Sequence, residues 1–140
     1  MSKPSFEILE HTADVGLKIY GGSLPELFAN AARGLVSLAL EPEPVQPKQR
    51  LSLRAQGESY EELLVGWLSE ILYFLDTEGW VFCDFSVERL EAGSIEAEGV
   101  GERRDPAHRS RAVAVKAVTY HQVSVRETAE GWEAVVYFDI

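Results

Sequence analysis

The sequence predicts an α+β fold in which two α-helices pack on a mostly antiparallel β-sheet to form a single-domain sandwich. Two segments carry apolar residues at helical spacing behind a serine-based capping box, and most of the remaining apolar segments alternate with the period of two that is typical of strands. The second half of the chain contains two hairpin patterns. At 140 residues the chain fits one domain, spanning residues 1–140.

The first half predicts two short strands, at 5–10 and 15–20, separated by a polar segment that ends at Asp14. Ser23 and Glu26 form a capping box for the first helix, which must end before the proline-rich segment "EPEPVQPK". That segment is expected to be a loop.

A strand at 51–57 is followed by a second capping box, Ser59 with Glu62, and by a broad apolar stripe that ends near Gly79. Two hairpins are expected after it, with turns near Gly93 and Gly131. No internal repeat is recognisable.

The alternation of apolar residues slips within the segment "VAVKAVTYHQVSV", which forms the first strand of the second hairpin. Such a slip is typical of a β-bulge, and bulges often lie beside functional sites.

Composition narrows the class of partner. The formal net charge is −10, from 13 basic and 23 acidic residues, which disfavours stable direct RNA binding. No stretch is apolar enough for a membrane helix, and the N-terminus lacks a signal-peptide pattern, so we expect a cytoplasmic protein without membrane contact. The single cysteine, Cys83, lies among apolar residues and is expected to be an inert buried thiol.

Familiar catalytic motifs are missing from the sequence. There is no nucleophile elbow, no phosphate-binding glycine loop and no pair of histidines at metal-binding spacing. Two carboxylates are more suggestive: Asp14 between the first two strands, and Asp139 near the end of the last one, where the alternation directs it and Tyr137 to one face. Taken singly, however, Asp14 reads as a turn residue and Asp139 as a solvated acid.

Several motifs together resemble the archease family. They are "EHTADVGLKIYGGSLPELFANAARGL", "LLVGWLSEILYFLDTEGWVF", "VKAVTYH" and the terminal "VYFDI", which occur in the family's order from about Phe6 to Ile140. Each motif alone is weak, but the combination is specific. Residues 41–48 and 100–112 look least like the family and are interpreted as variable loops.

The resemblance implies a protein partner, not an enzymatic activity. Archease-like proteins activate the RtcB-type RNA ligase by speeding formation of the ligase–guanylate intermediate and permitting multiple turnover in tRNA splicing or RNA repair. The family carries a divalent-metal site, usually assigned to calcium, with magnesium possible. Carried onto this chain, the ligands are Asp14, Asp139 and a backbone or terminal oxygen of Ile140.

Four residues of the family motifs are expected to flank this site or to contact the partner: His11, Lys116, Thr119 and His121. A basic segment, residues 103–116, is either a solvated loop or a contact for RNA or the ligase. Two other functions remain open, namely a metal-dependent phosphoesterase that uses Asp14 and Asp139, and a general protein-binding adaptor or chaperone.

Overall fold

A computed structural model of the chain describes residues 3–10, 14–105 and 112–140. Within these residues the chain forms seven strands and two helices, in the following order. They are β1 (Phe6–Glu10), β2 (Asp14–Gly21), α1 (Leu24–Ala39), β3 (Gln49–Gln56), α2 (Tyr60–Thr77), β4 (Trp80–Glu91), β5 (Ser94–Arg103), β6 (Ala117–Thr128) and β7 (Gly131–Asp139). The predicted α+β class with two helices is therefore confirmed. None of the described helices has the length and apolar character needed to cross a membrane.

The strands form two antiparallel sheets, where the sequence analysis counted one. The four-stranded sheet has the order β1-β2-β7-β6, and the three-stranded sheet has the order β3-β5-β4. Both predicted hairpins are present, and their turns contain Gly93 and Gly131 at positive φ. The predicted bulge in β6 is also present, as a register shift between Thr119 and Ser124.

The two helices lie between the two sheets. Helix α1 contacts β2 of one sheet and β4 of the other, and α2 contacts β6 and β3 in the same way. Each helix therefore buries two faces, which explains why the strands divide into two sheets: a single sheet would cover only one of those faces. Between the helices, the fully buried Trp67 donates its indole N–H to the carbonyl oxygen of Phe28 at 2.9 Å.

The two sheets share one plan that the sequence analysis did not recognise as a repeat. In each, a strand leads into a helix and pairs with the second strand of a hairpin, as β2 does with β7 and β3 with β5. The sequence G-x-S-x-x-E-L occurs at both strand-to-helix connections, from Gly21 and from Gly57. A Cβ atom at either glycine would lie 2.5 Å from the backbone nitrogen of the leucine six positions later, so both connections require glycine.

The outer face of the four-stranded sheet, on the side away from the helices, contains a close packing contact between its two central strands. Gly16 of β2 lies directly opposite Tyr137 of β7. A Cβ atom at Gly16 would lie 2.7 Å from Cε1 of Tyr137, so the glycine leaves room for the tyrosine ring. Tyr137 is only 7% exposed although it lies on the outer face.

At the end of this outer face that is distant from Asp14 and Asp139, charged and polar side chains form an ion-pair cluster. Glu133, which is 7% exposed, accepts a hydrogen bond from Nε of Arg126 at 3.0 Å and lies 3.8 Å from Nζ of Lys3. The hydrogen bond from Arg126 lowers the pKa of Glu133. Tyr20 is opposite Glu133 in β2 and donates its hydroxyl to Glu7 at 2.6 Å, which raises the pKa of Tyr20 to about 12.

The Gly16–Tyr137 contact predicts that Gly16→Ala destabilises the protein. The added methyl group meets both the tyrosine ring and Cβ of Leu9, at 3.2 Å, so the strands must shift at a cost of about 1–3 kcal/mol. Urea denaturation measures this change. Gly22→Ala is the matched control, because its added Cβ meets only a flexible carboxylate oxygen of Glu26, at 3.3 Å. Equal effects of the two substitutions would contradict this packing.

The ion-pair cluster predicts a pH-dependent contribution of Glu133 to stability. Because the pKa of Glu133 is lower in the folded protein than its ordinary value of 4.5, this contribution is complete above that value and is lost as the pH falls through the folded pKa. The free energy of unfolding of Glu133→Gln, measured in urea, is therefore expected to fall below that of the wild type at pH 7 and to approach it near pH 3. Glu127→Gln, at an exposed position of β6, is expected to follow the wild type throughout.

Candidate metal centre

Asp14 and Asp139 are direct neighbours on adjacent strands, although they lie near opposite ends of the chain. Asp14 is the first residue of β2 and Asp139 is the last of β7, and the register of these strands places them opposite each other on the outer face. Directly opposed residues in an antiparallel pair have Cβ atoms about 4.5–5.5 Å apart. Strands β2 and β7 thus contribute one carboxylate each to the same end of the sheet.

Two like charges directly opposite each other destabilise a sheet unless a cation or a proton screens them. Carboxylate oxygens are also the ligands that calcium and magnesium prefer, so the residues present fit a hard divalent cation. Among residues 3–10, 14–105 and 112–140, no group of three His, Cys, Asp or Glu side chains is placed to hold a metal ion. A cation between these two aspartates therefore needs further oxygen atoms from the backbone, from water or from a partner. Ile140 follows Asp139 directly and is 42% exposed.

Tyr137, Thr119 and His121 form the surface next to the aspartates. Tyr137 precedes Asp139 by two positions and so shares its face, and Thr119 lies opposite Tyr137 in β6. The hydroxyl of Thr119 donates to the carbonyl oxygen of Tyr137 at 3.1 Å and accepts the N–H of His121 at 3.3 Å. The His121 ring lies 6.2 Å from that of Tyr137 and is exposed. Thr119 thus links β6 to β7, and the exposed imidazole of His121 lies near the ring of Tyr137.

His121 lies within the bulge of β6. Between Thr119 and Ser124 the register shifts, and Gln122 is the one non-glycine residue with positive φ among those the structure describes, at 54°. This conformation is uncommon for a residue other than glycine. The slip in apolar alternation was the sequence signal for this feature.

Lys116 reaches the site through its backbone. Its N–H donates to the carbonyl oxygen of Asp139 at 2.8 Å, directly before β6 begins. Lys116 also lines an open groove of about 300 Å³ beside the last turn of α2. It is thus next to Asp139 in the sheet and exposed at its edge.

The structure describes only part of two other predicted features, His11 and the basic segment 103–116. His11 lies outside the described residues, as does the part of the basic segment from 106 to 111. Within the described part of that segment, Arg104 binds the carboxylate of Glu43 and the carbonyl oxygen of Pro44, both at 2.6 Å. Arg103 donates to the carbonyl oxygen of Glu78 at 3.2 Å. These two arginines thus anchor the proline-rich loop and the end of α2.

Cys83 differs from its expected placement. The sequence predicted a buried thiol, but Cys83 is exposed at a register shift in β4 and donates its S–H to the carbonyl oxygen of Val100 at 3.3 Å. Cys83 follows the inward-facing Phe82 and is therefore directed outward, and the register shift after it returns Phe85 to the inner face.

Comparison with known proteins identifies relatives along almost the whole chain. The profile of the Archease protein family (MTH1598/TM1083) matches residues 6–140. The chain is 38% identical over 139 residues to the protein archease of Methanosarcina mazei, covering 96% of this chain and 95% of that protein. It is 37% identical to the protein archease of Pyrococcus abyssi, covering 96% and 98% of the two chains.

A solved structure agrees with these relatives. The solution structure of Methanobacterium thermoautotrophicum protein 1598 superposes with a TM-score of 0.82 at 30% identity, covering 97% of this chain and 99% of that one. The family profile, the curated relatives and the shared fold all extend over nearly the full length of the sequence. The chain therefore belongs to the archease family.

Proposed function

We propose that this protein is a non-enzymatic activator of an RtcB-type RNA ligase. It promotes guanylylation of the ligase and multiple turnover, in tRNA splicing or in RNA repair, and it works in the cytoplasm. Membership of the archease family supports this partner. The observation that carries the proposal is the cross-strand pairing of Asp14 with Asp139, which assembles from the two ends of the chain the pair of carboxylates expected from the family motifs.

In this proposal Asp14 and Asp139 hold a divalent cation, calcium in the first instance, with a backbone oxygen of Ile140 as a further ligand. The cation would screen the two carboxylates and offer remaining coordination positions to oxygen atoms of water or of the ligase. His121 and Lys116 flank the pair and are available to contact the partner. The packing of Tyr137 on Gly16 and the hydrogen bond from Thr119 to Tyr137 join β2, β7 and β6 next to the aspartates.

The arrangement offers less support for a hydrolase. A metal-dependent phosphoesterase needs an activated water and a general base in addition to its metal ligands. The aspartate pair does not form part of a larger carboxylate and histidine cluster within the described residues. The adaptor hypothesis relied on exposed apolar helix faces, whereas the apolar stripes of both helices are buried between the sheets.

The test of this function counts ligation events per ligase. A trace amount of the purified protein is added to an RtcB-type ligase with RNA that carries 3′-phosphate and 5′-hydroxyl ends, with and without divalent metal. More than one turnover per ligase is expected only with the protein present. Cleavage of RNA or phosphoesters without the ligase would instead support the hydrolase, and no effect in either assay would leave the adaptor.

Asp14→Asn and Asp139→Asn are each expected to reduce stimulation of turnover to a few per cent of the wild-type level. Each substitution removes one negative ligand but keeps the size and the hydrogen-bonding capacity of the side chain. Circular dichroism and the thermal midpoint are expected to show an intact fold. Glu88→Gln, an exposed position in β4, serves as the control for loss of one charge. Wild-type stimulation by either asparagine variant contradicts the role of the pair.

Calcium is expected to raise the thermal midpoint of the wild-type protein, because a ligand that binds only the folded state stabilises it. The shift is expected to disappear in Asp14→Asn and to reverse when a chelator is added. Differential scanning calorimetry over a calcium titration measures it. An equal shift in the wild type and in Asp14→Asn would show that calcium binds elsewhere.

A further inference from the structure

Strand β6 is an edge strand whose two halves differ in how they are protected. It pairs with β7 on one side, and no described strand pairs with its other side. In the second half, the N–H of Val125 donates to a carboxylate oxygen of Glu61 at 3.1 Å, and the bulge between Thr119 and Ser124 interrupts the edge. Covering side chains and bulges are known means of preventing unwanted strand addition. Within the part of the chain that the structure describes, the first residues of β6, Ala117–Thr119, have neither form of protection.

An open groove runs beside this unprotected part of the edge. Its volume is about 300 Å³, and it is lined on one side by Leu72, Tyr73 and Thr77 of α2 and on the other by residues 116–118. Leu72 and Val118 are the aliphatic residues on its two sides, and its volume is sufficient for one long side chain. The groove thus combines a strand edge with a side-chain pocket, as sites that bind extended peptides do.

Exposed apolar side chains concentrate around the same corner. Tyr73 is 50% exposed, and Tyr120, at the start of the bulge, is 61% exposed. Ile140 is 42% exposed and follows Asp139, the partner of Ala117 in the sheet. Only Ile8, on β1, is another exposed large apolar residue in the described part of the chain. Exposed tyrosines are favourable contacts at protein interfaces, and their faces also attract guanidinium groups.

The charge of the groove favours a cationic occupant. The last turn of α2 contains no basic residue, and Asp76 and Glu78 lie at this end of the helix. The end of a helix where the carbonyl groups point outward carries a partial negative charge. Asp139 lies on β7, the strand next to β6, and Asp14 lies on β2 beyond it, and the whole chain has a net charge of −10. Within the described residues, Lys116 is the cation that lines the groove.

We infer that an extended, cationic segment of the partner protein adds to the edge of β6 at Ala117–Thr119 and inserts an arginine or lysine side chain into the groove beside α2. This inference rests on the proposed function for the identity of the partner, and it supplies the docking contact for that function. The bulge ends the added strand at Tyr120 and thereby fixes its register. Docking here places the partner's chain on the opposite side of β6 from β7, one strand away from Asp139, the neighbour of Ala117.

The substitution Thr77→Lys is expected to weaken docking of the ligase without destabilising the fold. Thr77 is exposed in the last turn of α2, where a cation is favourable for the helix, so the thermal midpoint is expected to stay the same or to rise. The same cation repels a cationic segment, so we expect the Kd for an RtcB-type ligase to increase about tenfold. Ser52→Lys, at an exposed position of β3, makes the same charge change on the three-stranded sheet and is expected to leave the Kd unchanged.

Hydrogen exchange locates the contact in the full-length protein. Amides within residues 117–120 are expected to gain protection of about tenfold or more when the ligase is added, whereas residues 124–128 are expected to remain unchanged. A Kd for Thr77→Lys within twofold of the wild type, or unchanged exchange at 117–120, overturns the inference.

The outcomes distinguish this inference from the proposed function. Stimulation of turnover without protection at 117–120 overturns the docking site alone, and protection without stimulation overturns the proposed function alone. Absence of any complex overturns both. A labelled RNA with a 3′-phosphate end tests the other class of ligand. If RNA binds the protein at this groove and binds Thr77→Lys more tightly than the wild type, the occupant is a nucleic acid and the inference is wrong.

Discussion

The pairing of β2 with β7 is the constraint on which the rest of the structure depends. It joins the beginning of the chain to its end, so its loop-closure entropy must be offset by burial of apolar side chains from both strands. Leu17 and Ile19 of β2 and Val136 and Phe138 of β7 are fully buried on the helix side of this pair. The same register places Asp14 opposite Asp139 on the other side. The sheet therefore brings two acidic side chains together on its outer face, while the apolar inner face stabilises the pairing of the two strands.

The position of the helices explains why the site lies on an outer face. Because α1 and α2 fill the space between the sheets, the inner faces of both sheets are apolar and only the outer faces accommodate charged side chains. Both outer faces place acids near cations. The three-stranded sheet places acids near cations, as in the ion pairs Arg50–Glu98 and Arg89–Glu96. The four-stranded sheet does the same where Arg126 and Lys3 meet Glu133, and it also places Asp14 opposite Asp139. Directly opposed acids are a less favourable arrangement in a sheet than acid–base pairs, and this supports the proposal of a metal centre at the aspartate pair.

The fold class and most elements could be predicted from local patterns. Capping boxes at Ser23 and Ser59 gave the helix starts, and both serines accept the expected hydrogen bond, from the N–H of Glu26 and of Glu62. Alternation gave the hairpins and even the bulge in β6. The division into two sheets was missed, because periodicity reports that a helix is buried but not how many layers bury it. The shared plan of the two sheets was missed for a related reason: it rests on strand pairing and on a short G-x-S-x-x-E-L motif, too brief to stand out as a repeat.

By itself, the sequence determined where each helix begins and which strand residues share a face. Caps, turns and alternation depend on only a few neighbouring residues. It also contained the motifs of the archease family, which singled out Asp14 and Asp139. Only the tertiary structure decided that these two residues are neighbours, since the register between β2 and β7 is set by packing across the whole sheet. The structure likewise showed that Gly16 leaves room for the ring of Tyr137 and that Cys83 is exposed. It also showed that Arg104 binds the proline-rich loop and that Arg103 binds the end of α2. Each of these depends on contacts between residues far apart in the chain, which no local pattern encodes.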